Sequence, residues 1–125
     1  MAEKINIEID GKTYAAELNQ SATACAIRDL LPLEGRANLW GAEIYFPIPV
    51  KCELEQDSRD VLEAGEIAYW PVGSAFCIFF GPTAISHAGE IRAASPVNVI
   101  GRIKSDLASL WEVEDQQLIR VVKSQ

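Results

Sequence analysis

Apolar residues recur in short runs with a period of two along most of this chain, which predicts strands in preference to helices. Ile5, Ile7 and Ile9 alternate with Asn6 and Glu8, the pattern of a half-buried strand. Asp10-Gly11 follows as the positive-φ pair of a tight hairpin turn, and residues 12–18 return as its second strand. Ser21 is placed to cap a short helix through Ala22, Cys25, Ala26 and Leu30, which Pro32 ends. Strand signals resume at 37–40 and 43–46, and Pro47 and Pro49 then demote the chain to an edge or a loop. Residues 51–54 carry a weaker strand signal, 55–60 read as a polar connection, and Val61-Leu62 leads to Gly65. Residues 67–70 and 74–80 form two strands about Trp70-Pro71-Val72-Gly73, with proline second and glycine fourth as in a type I turn. Residues 81–96 are rich in small side chains, lack periodicity and read as a long connection. A strand at 97–103, a helix at 105–111 capped by Ser105, and a closing strand at 118–122 complete the pattern. Eight or so short strands with two short helices predict a mainly β fold, a closed antiparallel eight-stranded barrel. No repeat or linker divides residues 1–125, so a single domain is expected.

The strand at 74–80 departs from simple alternation. Phe76, Ile78 and Phe80 share one face, and Ala75, Cys77 and Phe79 share the other, so both faces are apolar. In an acidic protein both must be covered, one by a core and the other by a helix, a partner or a ligand cleft.

Composition narrows the classes. The 125 residues carry 49% hydrophobic and 23% charged side chains, which suits a globular domain. A net charge of -7 argues against a nucleic-acid partner, which would need a basic face for phosphates. No apolar run has signal-peptide or membrane-spanning length, so a cytoplasmic protein without membrane association is expected. Cys25, Cys52 and Cys77 are odd in number and widely spaced, as for reduced thiols.

Candidate chemistry is sparse. His87, the one histidine, sits in a Ser-His-Ala-Gly loop with no motif tying it to a nucleophile or an orienting carboxylate, and reads as a solvated loop residue. Unpaired cysteines and one histidine supply too few ligands for a metal site, and no glycine-rich phosphate loop is present. No catalytic residue, metal or cofactor is therefore assigned. Glu43 and Tyr45 would emerge together from an apolar strand, with Ile44 and Phe46 opposite, either lining a pocket mouth or facing solvent. Tyr69 and Trp70 are core aromatics or a pocket wall. Cys77 reads as a small hydrophobe within its aromatic strand. Asn98 interrupts an apolar strand, so a buried hydrogen bond or a ligand contact must satisfy its amide.

Gly73-Ser74-Ala75-Phe76-Cys77-Ile78 resembles the Gly-Ser-Gln-Phe-Phe-Ile strand of cyclophilins, and Asn98-Val99-Ile100-Gly101-Arg102-Ile103 is similar to the strand before their last helix. The segments Trp40–Pro47, Gly65–Pro71 and Ser95–Gly101 together look like an uncharacterised prokaryotic family of small proteins with an atypical cyclophilin-like fold. The resemblance spans residues 38–103 and implies an eight-stranded barrel capped by two helices. It also implies a groove in which Ala75 and Cys77 replace larger cyclophilin residues. Ile85 and Val97 stand nearest to a groove Trp and His, and no arginine lies between Arg36 and Arg59.

Three functions follow as expectations. The first is a binding module whose cleft, formed by Glu43, Tyr45, Tyr69, Cys77, Phe79 and Asn98, takes a small molecule or a peptide segment. The second is an interaction subunit burying its apolar face in a homodimer or against a larger enzyme. The third is a weak peptidyl-prolyl isomerase, which the missing arginine counts against.

Overall fold

The computed structural model describes residues 3–124. Ten strands are present among them: β1 (Glu3–Ile9), β2 (Lys12–Leu18), β3 (Leu33–Arg36), β4 (Asn38–Leu39), β5 (Glu43–Pro47), β6 (Arg59–Leu62), β7 (Glu66–Trp70), β8 (Ala75–Phe79), β9 (Ile91–Ile103) and β10 (Leu118–Lys123). One α-helix, α1 (Ala22–Asp29), and one 3-10 helix at Ala108–Glu112 accompany them.

The strands form an antiparallel sheet in the order β3-β10-β1-β2-β9-β7-β8-β5-β4, with β6 attached only to β9. Its end strands, β3 and β4, are separated in sequence by Ala37 alone, so the sheet must curl until its two ends meet. No ladder joins them. The expected closed eight-stranded barrel is thus corrected to a curled, hydrogen-bond-open sheet, and the second expected helix is a five-residue 3-10 segment. That segment buries only Leu110 and leaves Trp111 61% exposed, too little apolar face to hold a longer helix. Ser105 does not cap it; the Asp106 side chain accepts the Ala108 N–H instead.

Local signals explain much of the rest. Asp10 and Gly11 hold φ of 51° and 77° in the β1–β2 turn, and Ser21 accepts the Ala24 N–H at 3.2 Å as the cap of α1. The β7–β8 turn is longer than expected. Trp70 pairs with Ala75 and the Ser74 N–H donates to Pro71, leaving a four-residue loop with Ser74 at φ 48°. Residues 51–54 form no strand.

The largest departure is at β9, which begins at Ile91 within the expected connection. Its first half pairs with β6 through an irregular register, and Pro96 falls in that irregular stretch, where a missing N–H breaks no regular ladder. Its second half pairs with β7 and β2. Where β9 crosses β2, Gly101 is required, since a Cβ there would lie 2.0 Å from the Glu17 carbonyl oxygen.

Two apolar clusters result. The main core fills the curl and includes Ile5, Ile7, Phe46, Tyr69, Phe76 and Ile78, with the Phe46 and Phe76 rings 5.5 Å apart. A second, on the outer face, gathers Leu62, Ala68, Ala75, Cys77, Phe79, Ala93 and Val97. The two-faced reading of residues 74–80 therefore holds. Every residue of β8 is buried, and β6 with the first half of β9 covers its outer side. Among the described residues no helix is long and apolar enough to cross a membrane.

Candidate functional site

The cover over the outer face is incomplete, and the gap is a cleft of about 240 Å³. Glu43 and Tyr45 alternate along β5 and enter it from one side. In the β5–β8 ladder they lie opposite Phe79 and Cys77, and directly opposed residues of paired strands share a face. Phe79 and Cys77 are both wholly buried, Phe79 forming part of the cleft lining and Cys77 lying outside it. The first half of β9 supplies Ala93, Ala94 and Val97 as the far wall.

Two tryptophans complete the walls. Trp70, at the end of β7, donates its indole N–H to the Ser95 hydroxyl at 2.7 Å, which ties the ring to β9. Trp40 stands on the turn before β5, where its N–H donates to the Glu43 carbonyl at 3.0 Å. Gly41 holds φ of 60° in that turn, and a Cβ there would lie 2.8 Å from the Thr83 backbone. The close approach fixes where Trp40 can stand.

Glu43 is 6% exposed, and no described lysine, arginine or histidine pairs with it. Loss of water around the charged form pushes its pKa up to about 7, opposed in part by a hydrogen bond with the Cys77 thiol. Both protonation states are therefore populated at neutral pH. Burial and the Glu43 carboxylate push the Cys77 thiol well above its ordinary value, which keeps it protonated and poorly nucleophilic.

Of the six residues expected at a site, Glu43, Tyr45 and Phe79 line the cleft and Cys77 lies outside it. Tyr69 does not reach it. Its ring is in the main core, where the hydroxyl donates to the Val50 carbonyl at 2.6 Å and accepts the Cys52 N–H at 3.3 Å. Asn98 is also elsewhere: it donates to Thr23 of α1 at 3.0 Å and to the Glu53 carbonyl at 2.9 Å, and accepts the Glu55 N–H at 2.8 Å. Its amide is satisfied by protein groups that tie α1 and the 53–55 loop to β9. Val97 lines the cleft, whereas Ile85 is 45% exposed outside it. His87 is exposed in its loop, as expected.

Trp40, Ala93 and Ala94 were not expected in the cleft, whereas Trp70, read as a core aromatic or a pocket wall, is a wall. For Trp70 a signal exists in the sequence. Any hairpin loop of even length between β7 and β8 places Trp70, not Tyr69, on the Cys77 face. The alanines carry no such signal, because their contribution depends on where β9 bends back.

A small, mainly β fold with one curled antiparallel sheet and an apolar outer cleft around a lone carboxyl is the class these features define. The chain belongs to the cyclophilin-like family, whose model matches residues 3–122. It is similar to a hypothetical protein of Archaeoglobus fulgidus known from a solution structure. The two are 40% identical with a TM-score of 0.83, over 98% of this chain and 95% of that one. No curated protein matches the sequence.

Proposed function

We propose that this protein is a binding module that holds a small molecule, or a short peptide segment, in the cleft between β5, β8, Trp70 and the first half of β9. One observation carries the reading: the cleft is apolar on nearly every side yet retains a buried carboxyl that no cation among the described residues neutralises. Convergent apolar walls with one placed polar group are the usual composition of a ligand site. The volume, about 240 Å³, is below the roughly 300–1,000 Å³ of sites for drug-sized compounds, which favours a compact ligand. The apolar face of β8, the motive for invoking a partner subunit, is covered within the chain by β6 and β9. Among the cleft-lining residues there is no arginine, so no guanidinium stands beside a prolyl nitrogen, and isomerisation is not part of this proposal. A thermal-shift screen against metabolites and Xaa-Pro peptides, followed by native mass spectrometry of hits, tests the reading. Compounds that stabilise the protein and lose that effect when Ala93→Leu narrows the cleft support it. A screen in which no class stabilises the protein rejects it.

A further inference from the structure

Resting on that reading, we propose that the ligand is a small protonated amine carrying an aromatic or aliphatic group. Its ammonium pairs with the Glu43 carboxylate among the rings of Trp40, Tyr45 and Trp70, and its apolar group lies against Phe79, Ala93 and Val97. Charge complementarity carries the argument. Three aromatic side chains that attract cations and one carboxylate converge on a single gap, and no cation stands among the described residues that line it. The arginines on β6 and the first half of β9, the elements that cover this face, are engaged elsewhere. Arg92 pairs with Glu90 at 2.8 Å and Asp60 at 2.9 Å, and Arg59 pairs with Glu66 at 2.7 Å.

An isolated buried carboxylate is unfavourable because water has been stripped from it. That desolvation is already met in folding, so an arriving ammonium gains a partner that needs no further dehydration. The acidic surface also favours approach of a cation over an anion. The titratable groups facing Glu43 are the Cys77 thiol from β8 and the Tyr45 phenol from β5. The parts of β7 and β9 that line the cleft contribute Trp70, Ala93, Ala94 and Val97, none of which titrates.

The pH dependence separates this ligand class from a neutral one. A protonated Glu43 would donate to a carbonyl or hydroxyl oxygen, so neutral ligands would bind more weakly as pH rises. An ammonium requires the carboxylate, so amines bind more tightly as pH rises through about 7. If only the ionised form binds, apparent affinity grows roughly 30-fold between about pH 5.5 and about pH 8.

The test is isothermal titration of the full chain with phenethylamine, tryptamine and benzyltrimethylammonium, against the neutral phenylethanol and tryptophol. Expected are tighter binding of the amines at high pH, uptake of the quaternary ammonium, and release of a proton on amine binding near pH 6. Glu43→Gln should abolish amine binding while phenylethanol still binds, which also shows that the variant is folded. Alcohols that bind as tightly as amines at high pH, amine affinity that falls with pH, or amine binding that survives Glu43→Gln would each overturn the amine assignment and leave the cleft reading standing. Failure of both compound series at millimolar concentration would overturn the assignment and the cleft reading together.

Discussion

Glu43 makes the fold measurably pH-sensitive in a direction opposite to that of most carboxylates. Its pKa is about 7 in the folded protein and 4.5 when unperturbed, so between these values the folded state holds a proton that the unfolded state has lost. Stability is then full below about 4.5, falls as pH rises, and levels off above about 7. At about 1.4 kcal/mol per pH unit the interval amounts to about 3 kcal/mol lost on ionisation. Replacing the acid with an amide of the same shape removes the proton equilibrium. Relative to the native chain, Glu43→Gln is therefore expected to gain about 2.5 kcal/mol of stability as pH is raised from about 5 to about 8.5, the rest of the loss falling below that range. Urea denaturation of both proteins at half-unit steps across that range reads the difference directly, and comparing them cancels all other titrating groups. Glu90, held down to about 2 by its hydrogen bonds with Arg92, acts below this window with the opposite sign. A difference between the two proteins that does not vary with pH would refute the reasoning, because Glu43 would then have the same pKa folded and unfolded.

The remaining predictions concern residues that hold the cleft in place without lining it. Tyr69→Phe removes the hydroxyl that donates to the buried Val50 carbonyl and should cost about 1–2 kcal/mol with ligand affinity unchanged; altered affinity would return Tyr69 to the site. Asn98→Ala strands three partners joining α1 and the 53–55 loop to β9, and a loss of about 3 kcal/mol in denaturant titration is expected, an effect under 1 kcal/mol contradicting it. Gly101→Ala drives a methyl into the Glu17 backbone and should destabilise the fold by about 3 kcal/mol or more, a neutral outcome showing that β2 and β9 separate freely.

What the sequence discloses is set by how local the deciding interactions are. The Asp10-Gly11 turn, the Ser21 cap and the two faces of β8 depend on residues within a few positions of one another, and all three are legible. The pairing of Glu43 with Tyr45 on one face of β5 is legible for the same reason. Closure of the sheet is not, because it depends on whether β3 and β4, at opposite ends of the order, come into register across Ala37. The first half of β9 is hidden more deeply. Ala93, Ala94 and Ser95 have little intrinsic strand preference, and Pro96 argues against one. Only the covering of Ala75, Cys77 and Phe79 gives that segment a reason to be extended. Tyr69 and Asn98 were chosen for their chemistry, yet side-chain parity assigns both to the opposite side of the sheet from Cys77, where they meet each other in register.

The thirteen-residue β9 therefore explains both the stability of the outer face and the gap left in it. Its second half belongs to the curled sheet, while its first half leaves that sheet, takes β6 with it and lies across β8. Small residues at 93 and 94 bring the flap close without filling the space against Phe79. Were the space merely a packing defect, an apolar residue at 43 would fill it and remove the cost of burying a carboxyl. Instead the chain keeps an acid there that lowers its own stability at neutral pH, walls it with two tryptophans, and ties one of them to β9 through Ser95. On the proposed reading, a buried acid that costs the fold stability and lines a preformed cleft is accounted for by what it binds, not by what it packs against.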